Sequence, residues 1–418
     1  MELAIISLLF LVACVVVGFL LKRNIGLIAI ALALILGRIA NIPDAEIISG
    51  FNTNLFVILL GVSYLFTIAN SNGTLENIVR HIVALAGRHI NLIPVIFVVL
   101  GALMSMAGPG TVPTLALTTI LSTALAKELD IDPLPFTVCC FMGAAGGGMS
   151  PIASTGIVAL DLAAKEGYTG LEMPYMFTVL FAFLIFGAVY YFATGLFKLR
   201  ADKIPESIKN QKKMTKDQWI TLAGMIFMLL LVIFFKINVG LAAFLVAAIL
   251  NIIGVCDEKK VFAEIPWSTL IMICGVSVLM NLVITLGGID KISGWLASIM
   301  TPYTAPALMA VSSGLFGLFA STVGVVIPTL VPAVPGIIAG LGGGVDPCTL
   351  ISALSVSSQI SGISPASTGG ALALAAFVTL YNPTGDQKNR YFIRLFITSI
   401  VAVLFVSALG LTGFYSWL

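Results

Sequence analysis

The sequence carries little charge for its length. Only 10% of its 418 residues are Asp, Glu, Lys or Arg, whereas soluble domains average about 25%. Hydrophobic residues make up 59% of the chain and the mean hydropathy is +1.11, so a soluble globular fold is excluded. Apolar runs of about 20 residues, the length that crosses a bilayer as a helix, recur along the chain.

Residues that usually carry enzyme or metal chemistry are also scarce. The chain has two His and six scattered Cys with no CxxC pair, which excludes the usual zinc and thiol-redox motifs. His81 and His89 stand about two turns apart and have no third ligand nearby. No convergent set of nucleophile, base or metal ligands is present in the sequence. We therefore expect that the chain is not an enzyme and uses no resident cofactor.

Hydropathy predicts an all-α polytopic membrane protein with about ten transmembrane helices and two re-entrant hairpins. Continuous apolar runs favour helices over the alternating pattern of a barrel. The predicted spans are 3–21, 25–41, 52–71, 134–162, 173–197, 217–235, 238–254, 267–286, 349–380 and 391–414. The stretches 90–126 and 303–340 are interrupted by AGPG and ASTVG. These interruptions predict a turn at membrane depth, which is tolerated only where protein or water covers it.

Basic residues predict the orientation. Residues 198–216 form a basic linker that contains Lys198, Arg200, Lys203, Lys209, Lys212, Lys213 and Lys216. With this linker in the cytoplasm, few of the 21 basic residues fall outside, namely Arg38, Lys165, Lys236 and Lys291. The positive-inside rule selects this orientation, with both termini outside and the chain in the cell inner membrane. Because topology explains the linker, we expect no nucleic-acid partner.

The two halves, 1–197 and 217–418, resemble each other at an offset near 214 residues (275 minus 61). GVSYLFTIANSNGTLENI from Gly61 pairs with GVSVLMNLVITLGGIDKI from Gly275. Five predicted spans in each half would turn the second half upside down. The hairpin at 90–126 would then enter from the cytoplasm and the hairpin at 303–340 from outside. Inverted repeats with broken helices are typical of secondary transporters, whose sites lie at the repeat interface.

The fourth predicted span of each half contains a polar break. The breaks are GAAGGGMSPIASTG (Gly143–Gly156) and SSQISGISPASTGG (Ser357–Gly370). Unwound backbone frees carbonyl groups for a cation, and the helix N-terminus that follows offers N–H groups to an anion. Hydroxyl groups are expected to line two half-sites, one with Ser150, Ser154 and Thr155 and the other with Ser364, Ser367 and Thr368. Close helix packing is the alternative explanation for such small residues.

Acidic residues are missing from the middle of the predicted spans, although the chain has 19 of them. Since buried carboxylates are the usual proton relays, we expect Na⁺ and a substrate carboxylate to bind side by side, each offsetting the other's desolvation. Asn281 and Gln359 could contribute ligands or interhelical hydrogen bonds. Proton-coupled or exchange-type carriage of another organic anion is the alternative. A channel is less well supported, because two inverted hairpins provide a gate for each face.

The hairpin tips SMAGPGT (Ser105–Thr111) and ASTVG (Ala320–Gly324), with the two breaks, resemble the ion transporter superfamily. Within it, the chain resembles the divalent anion/sodium symporters and, most closely, the MatC-type dicarboxylate carriers. The Asn of the symporters' Ser-Asn-Thr tips is missing here, which favours the MatC-type branch. The resemblance implies malonate or a C4 dicarboxylate as substrate, Na⁺ as coupling ion, an elevator-type mechanism and a homodimer.

The resemblance also implies which residues form the site, since the symporters' tips meet the substrate and each tip holds one Na⁺ with its broken helix. The substrate-binding residues implied are Ser105, Gly108, Thr111, Ser154, Thr155, Ser321, Thr322, Ser367 and Thr368. The Na⁺ ligands implied are Ser105, Gly147, Gly148, Ser150, Ser321, Gln359, Gly362 and Ser364.

Overall fold

The computed structural model describes residues 2–21, 23–84, 89–199 and 213–417, and these residues form helices without any β-strand. The helices of the first half are α1 (Leu3–Leu20), α2 (Ile25–Ile39), α3 (Asp44–Ser49), α4 (Thr53–Ser71), α5 (Thr74–Ala84), α6 (Ile93–Met106), α7 (Thr111–Glu128), α8 (Pro133–Gly147), α9 (Ser154–Lys165) and α10 (Glu172–Ala193). Those of the second half are α11 (Lys216–Phe235), α12 (Val239–Ile253), α13 (Glu258–Glu264), α14 (Trp267–Thr285), α15 (Gly288–Ile299), α16 (Ala305–Gly317), α17 (Ile327–Leu330), α18 (Val334–Gly340), α19 (Pro347–Ile360), α20 (Thr368–Tyr381) and α21 (Gly385–Leu411).

Many of these helices are apolar enough to lie in a membrane. Six segments are also long enough to cross it, namely Asp44–Ser71, Glu172–Ala193, Trp267–Thr285, Thr322–Gly340, Pro347–Tyr381 and Gly385–Leu411. Further apolar helices of 10–17 residues include Ile25–Ile39 and Val239–Ile253. The predicted all-α membrane fold is confirmed, while the number of crossings stays a prediction.

The interruptions predicted from the sequence are visible in the helices. The predicted spans 134–162 and 349–380 are each two helices with a break between them, α8 with α9 and α19 with α20. The stretch 90–126 is the helix–turn–helix of α6 and α7. With 14 residues, α6 is about 21 Å long, shorter than the roughly 30 Å hydrocarbon core. In the stretch 303–340, α16 is followed by a π-helical segment, Thr322–Val326.

Each break is preceded by a helix that starts at an Asp-Pro pair. The Asp132 carboxylate accepts a hydrogen bond from Leu134 N, and the Asp346 carboxylate accepts one from Thr349 N. A carboxylate satisfies N–H groups that the first turn leaves free, and Pro at the first helical position has no N–H to lose. These two starts are 214 residues apart (346 minus 132).

Helices of the two halves cross each other at glycines. A Cβ at Gly275 on α14 would lie 2.4 Å from the carbonyl oxygen of Gly26 on α2. A Cβ at Gly61 on α4 would lie 2.3 Å from the carbonyl oxygen of Gly240 on α12. Such close approach needs residues without side chains, as in other membrane helix pairs. The two crossings are related by the repeat offset, and each joins helices from different halves.

Most of the predicted linker lies outside the described residues, namely 200–212, and so do Lys22 and Arg88. The described end of the linker contains Thr215, which forms a capping box with Gln218 at the start of α11. The division into 1–197, 198–216 and 217–418, the inversion and the orientation therefore stay predictions.

Candidate functional site

The same hydrogen bonds shape the breaks between α8 and α9 and between α19 and α20. The backbone N–H of Ser150 donates to the carbonyl three residues earlier at 3.1 Å, and that of Ser364 does so at 2.9 Å. Each hydroxyl oxygen accepts a bond from the N–H two residues later, at 3.4 Å for Ser150 and 3.3 Å for Ser364. Both hydroxyl groups therefore hold a turn, and each oxygen keeps a second lone pair.

The tip of the first hairpin, between α6 and α7, lies against the start of α9. Ser154 N donates to Gly108 O at 3.1 Å, and Ser154 Oγ donates to Pro109 O at 2.9 Å. Gly110 has a φ of +76°, and a Cβ there would lie 2.2 Å from Ser154 Oγ and 3.1 Å from Thr155 Oγ1. Glycine is required on both grounds. The structure thus brings the predicted residues Gly108, Ser154 and Thr155 together.

Ser105 and Thr111, on either side of this tip, lie beside the first break. A Cβ at Gly148 would lie 2.3 Å from Thr111 Oγ1 and 2.9 Å from Ser105 Oγ. Gln359 on α19 donates from Nε2 to Thr111 Oγ1 at 2.5 Å, so the second half reaches the first hairpin. Ser105 is fully buried, and its Oγ has no hydrogen-bond partner among the described residues. An unpaired buried hydroxyl is costly, so this oxygen marks a position where a ligand would be favourable.

The tip of the second hairpin is built differently. Ser321 Oγ accepts a hydrogen bond from Gly324 N at 3.2 Å and caps the π-helical segment. Thr322 Oγ1 donates to Ser358 O at 2.7 Å, and Ser361 Oγ donates to the same carbonyl at 2.6 Å. Sequence reasoning missed Ser358 and Ser361, although the Ser-rich run SSQISG held the signal. This tip is joined to the last turn of α19.

Two of the predicted Na⁺ ligands lie in tight packing contacts. A Cβ at Gly147 would lie 2.1 Å from Ala102 O, and a Cβ at Gly362 would lie 3.0 Å from the Phe141 ring. Close packing, the alternative that the sequence left open, explains why these positions are small. Ser367 is buried at the N-cap position of α20.

Two cavities flank these elements. The larger cavity has a volume of about 660 Å³ and is bounded by α4, α5, the first hairpin and α20. The smaller cavity, of about 350 Å³, is bounded by the start of α4, α9, α14 and the second hairpin. Pro109 and Thr368 line the larger cavity, so the first tip and the second break are both reached from it.

The lining of the two cavities recurs at the repeat offset. The matched pairs, with the larger cavity first, are Ser63 and Ser277, Phe66 and Met280, Thr67 and Asn281, Asn70 and Ile284, and Leu372 and Val158. Helices α4 and α14 therefore present the same positions to different cavities. Asn281 was a candidate from the sequence, whereas Ser63, Thr67 and Asn70 were not. Their signal was the set of polar residues inside the repeated segment GVSYLFTIAN.

Charged side chains are part of the lining of each cavity. The larger cavity has Glu76 and Arg80, whose side chains pair at 2.9 Å. The smaller cavity has Lys165 and Glu166, and burial raises the pKa of the Glu166 carboxyl. Next to the hairpin tips, the cavities are lined by hydroxyl, amide, proline and apolar groups. These linings suit a small polar solute.

The sequence matches the model of the CitMHS family, described as citrate transporter, over residues 8–357. The chain belongs to this family. Among curated proteins none matches the sequence. Solved structures share the fold of this CitMHS member. The Alcanivorax borkumensis YdaH transporter is 13% identical to this chain, and the match covers 88% of this chain and 86% of the YdaH chain with a TM-score of 0.61. Neisseria gonorrhoeae MtrF, from work on antimetabolite efflux pumps, has 14% identity, coverages of 90% and 83%, and a TM-score of 0.56.

Membership of the CitMHS family makes the chain a multi-pass membrane transporter. The broad part of the predicted resemblance, an ion-transporter-type membrane carrier, is confirmed. The expectation that the chain is not an enzyme agrees with the family and with both structural neighbours. The MatC-type branch, the dicarboxylate substrate, Na⁺ coupling and the homodimer stay predictions.

Proposed function

We propose that this CitMHS member is a secondary active transporter that imports small dicarboxylates, malonate or a C4 dicarboxylate, with Na⁺ as the coupling ion. The observation that supports this most is the contact of one hairpin tip with both broken helices. The tip hydrogen-bonds Ser154 at the first break and Gln359 just before the second. Sites assembled from both halves at a repeat interface are typical of secondary transporters.

The substrate carboxylates are proposed to bind at the starts of α9 and α20. These helices have 12 and 14 residues, and each begins directly after a break. A helix N-terminus favours an anion through its free N–H groups and its dipole. The hydroxyls of Thr155, Ser367 and Thr368 add donors at these two ends, whereas the Ser154 hydroxyl already donates to Pro109 O. Two such ends suit a molecule with two carboxylates.

Na⁺ is proposed to bind between the first tip and the first break. Hard cations take oxygen ligands, and the hydroxyls of Ser105 and Thr111 lie beside the backbone of Gly148. The unpaired Oγ of Ser105 is the observation that fits such an ion. A bound Na⁺ would supply positive charge that offsets the substrate's carboxylates. Ser150 and Ser364, whose oxygens keep a lone pair, are the corresponding candidates in the two turns.

The two cavities support alternating access. In the predicted orientation, Glu76 and Arg80 face the cytoplasm, and so the larger cavity opens inward. Lys165 and Glu166 face outside, so the smaller cavity is the outer one. We place the protein in the cell inner membrane, with its substrate site reached from the cytoplasm in this arrangement, because Pro109 and Thr368 line the larger cavity. An elevator-type movement and a homodimer are part of this proposal through the resemblance of the tips and breaks.

Citrate is a second candidate substrate, because the matched family model is described as citrate transporter. Purified protein in proteoliposomes should be tested with labelled malonate, succinate, malate and citrate. Na⁺ and pH gradients should be imposed separately at a fixed membrane potential. We expect dicarboxylate accumulation that rises with external Na⁺ and survives collapse of the proton gradient.

Three outcomes would contradict parts of this proposal. Uptake of citrate alone would show that citrate, and not a dicarboxylate, is the substrate. Uptake that does not depend on Na⁺ and is abolished by a protonophore would show that Na⁺ is not the coupling ion. Equilibration without accumulation under any gradient would favour a channel.

A further inference from the structure

One hydrogen bond joins the two walls of the smaller cavity. Asn52 Nδ2 donates to Asp161 Oδ2 at 2.7 Å. Asn52 lines the cavity just before α4, and Asp161 lies on α9, whose Val158 and Leu162 line it. Lys165 Nζ lies 3.2 Å from the same carboxylate oxygen. The Asp161 side chain is 19% exposed, so this charge is shielded from water more than a surface pair.

Asn52 is fixed to the wall formed by α4 and α14. Its Oδ1 accepts a hydrogen bond from Leu55 N at 3.1 Å and caps α4. The neighbouring Gly50 carbonyl accepts from Ser277 Oγ on α14 at 2.9 Å. One end of the Asn52 amide therefore holds the helix start, and only its Nδ2 reaches across the cavity.

Asp161 belongs to the opposite wall. Helix α9 starts at the first break, where Ser154 is bonded to the tip of the first hairpin. Movement of the substrate site relative to α4 and α14 would carry Asp161 away from Asn52. A contact between these two walls therefore reports, and stabilises, one arrangement of the site.

Among the residues that the structure describes, the larger cavity has no such contact. At the repeat offset, Asn52 corresponds to Pro266 (266 minus 52) and Asp161 to Ala375 (375 minus 161). Neither Pro nor Ala has a side-chain hydrogen-bonding group. Of these two pairs of corresponding positions, only the pair at the smaller cavity therefore has a donor and an acceptor.

We propose that Asn52, Asp161 and Lys165 form an outer latch, which ties α9 to the wall of α4 and α14 and must break before the site moves to bind substrate from that side. This inference rests on the proposed transport function for its role, but its geometry can be tested without substrate. A hydrogen bond to a charged group that exists in one state alone shifts the populations of the two states by its full free energy.

The latch can be tested by exchanging its donor and acceptor. Asn52→Asp keeps the cap, because Asp caps helices as well as Asn, but places a second carboxylate against Asp161. Combining Asn52→Asp with Asp161→Asn restores a donor–acceptor pair in the reverse sense. Asp161→Ala removes the acceptor without adding repulsion, and it tests the latch if Asn52→Asp does not fold. Asn238→Asp, at a cap without a partner across a cavity, is the matched control.

The readout is labelling by a membrane-impermeant maleimide without substrate. Asn281→Cys reports the smaller cavity and Thr67→Cys, its counterpart, the larger, and both positions are partly buried. Cys256 is replaced by Ser, because the other cysteines are buried. Asn52→Asp should raise labelling at Asn281→Cys relative to Thr67→Cys about tenfold, as expected for losing a charged hydrogen bond. Asp161→Ala should act in the same direction.

The exchanged double variant should return the labelling ratio to within about twofold of the parent, and Asn238→Asp should leave it unchanged. The latch is overturned if Asn52→Asp and Asp161→Ala both leave the ratio unchanged, or if the exchange does not restore it. If the exchange restores the labelling ratio but the protein transports no dicarboxylate, the latch is supported and the proposed function is rejected.

Discussion

Gln359 donates a hydrogen bond of 2.5 Å to Thr111, 248 positions away in the chain. Thr111 begins α7 on the first hairpin, and Gln359 lies in the last turn of α19. Both side chains are buried. The pair connects the first tip to the second broken helix, so a change at either residue should alter substrate binding at the site.

Gln359→Leu and Thr111→Val should each weaken dicarboxylate affinity by about tenfold, because each leaves a buried polar partner unpaired at roughly 1–3 kcal/mol. Their effects should overlap in the double variant, since they act on one bond. The concentration dependence of uptake in proteoliposomes measures this. Ser399→Ala, which removes a hydroxyl bonded within its own helix, is the control. Fully additive losses would contradict the coupling.

Ser105→Ala should stabilise the Na⁺-free protein by about 1 kcal/mol, because it removes an unpaired buried hydroxyl. The same change should abolish stabilisation by Na⁺, which is about 2.7 kcal/mol at a hundred times Kd. Thermal unfolding in detergent, with and without Na⁺, measures both effects. Ser407→Ala removes another unpaired buried hydroxyl, and should stabilise while keeping the Na⁺ effect. Equal Na⁺ stabilisation in the two variants would place the ion elsewhere.

Gly148→Ala should abolish most transport, because its Cβ would lie 2.3 Å from Thr111 Oγ1. The hairpin tip would have to move away from the break. Gly294→Ala is the control, since a Cβ on this helical glycine meets no atom within 4 Å, and it should add up to about 1 kcal/mol of stability. Uptake rates normalised to protein amount provide the comparison. If Gly148→Ala has wild-type uptake, close contact between the hairpin tip and the break is not needed for transport.

Single cysteines in the linker 198–216 should react with an impermeant thiol reagent only from the cytoplasm. Cysteines near both termini should react only from outside, because five crossings in each half bring the chain back to its starting side. Termini on opposite sides of the membrane would show an odd number of crossings. That result would remove the inverted arrangement from the proposed mechanism.

The sequence alone determined the membrane fold and the positions of the irregular backbone. Low charge and long apolar runs indicate helices in lipid, because unsatisfied backbone groups are too costly there. Gly-rich and Ser-Pro segments marked both breaks and both tips, since their backbone conformations are local properties. The offset of 214 residues relates the two Asp-Pro helix starts to each other and Gly61 to Gly275, whereas the crossings at these glycines came from the structure.

Only the tertiary structure decided what those segments touch. Gln359 with Thr111, and Asn52 with Asp161, are separated by 248 and 109 positions, and no local pattern specifies such contacts. The breaks look alike in sequence, yet the first tip is hydrogen-bonded to Ser154 whereas the second is hydrogen-bonded to the carbonyl of Ser358. The matched cavities likewise differ in size, about 660 and 350 Å³. A repeat determines which positions correspond, but packing of the whole chain decides which of two equivalent arrangements is occupied.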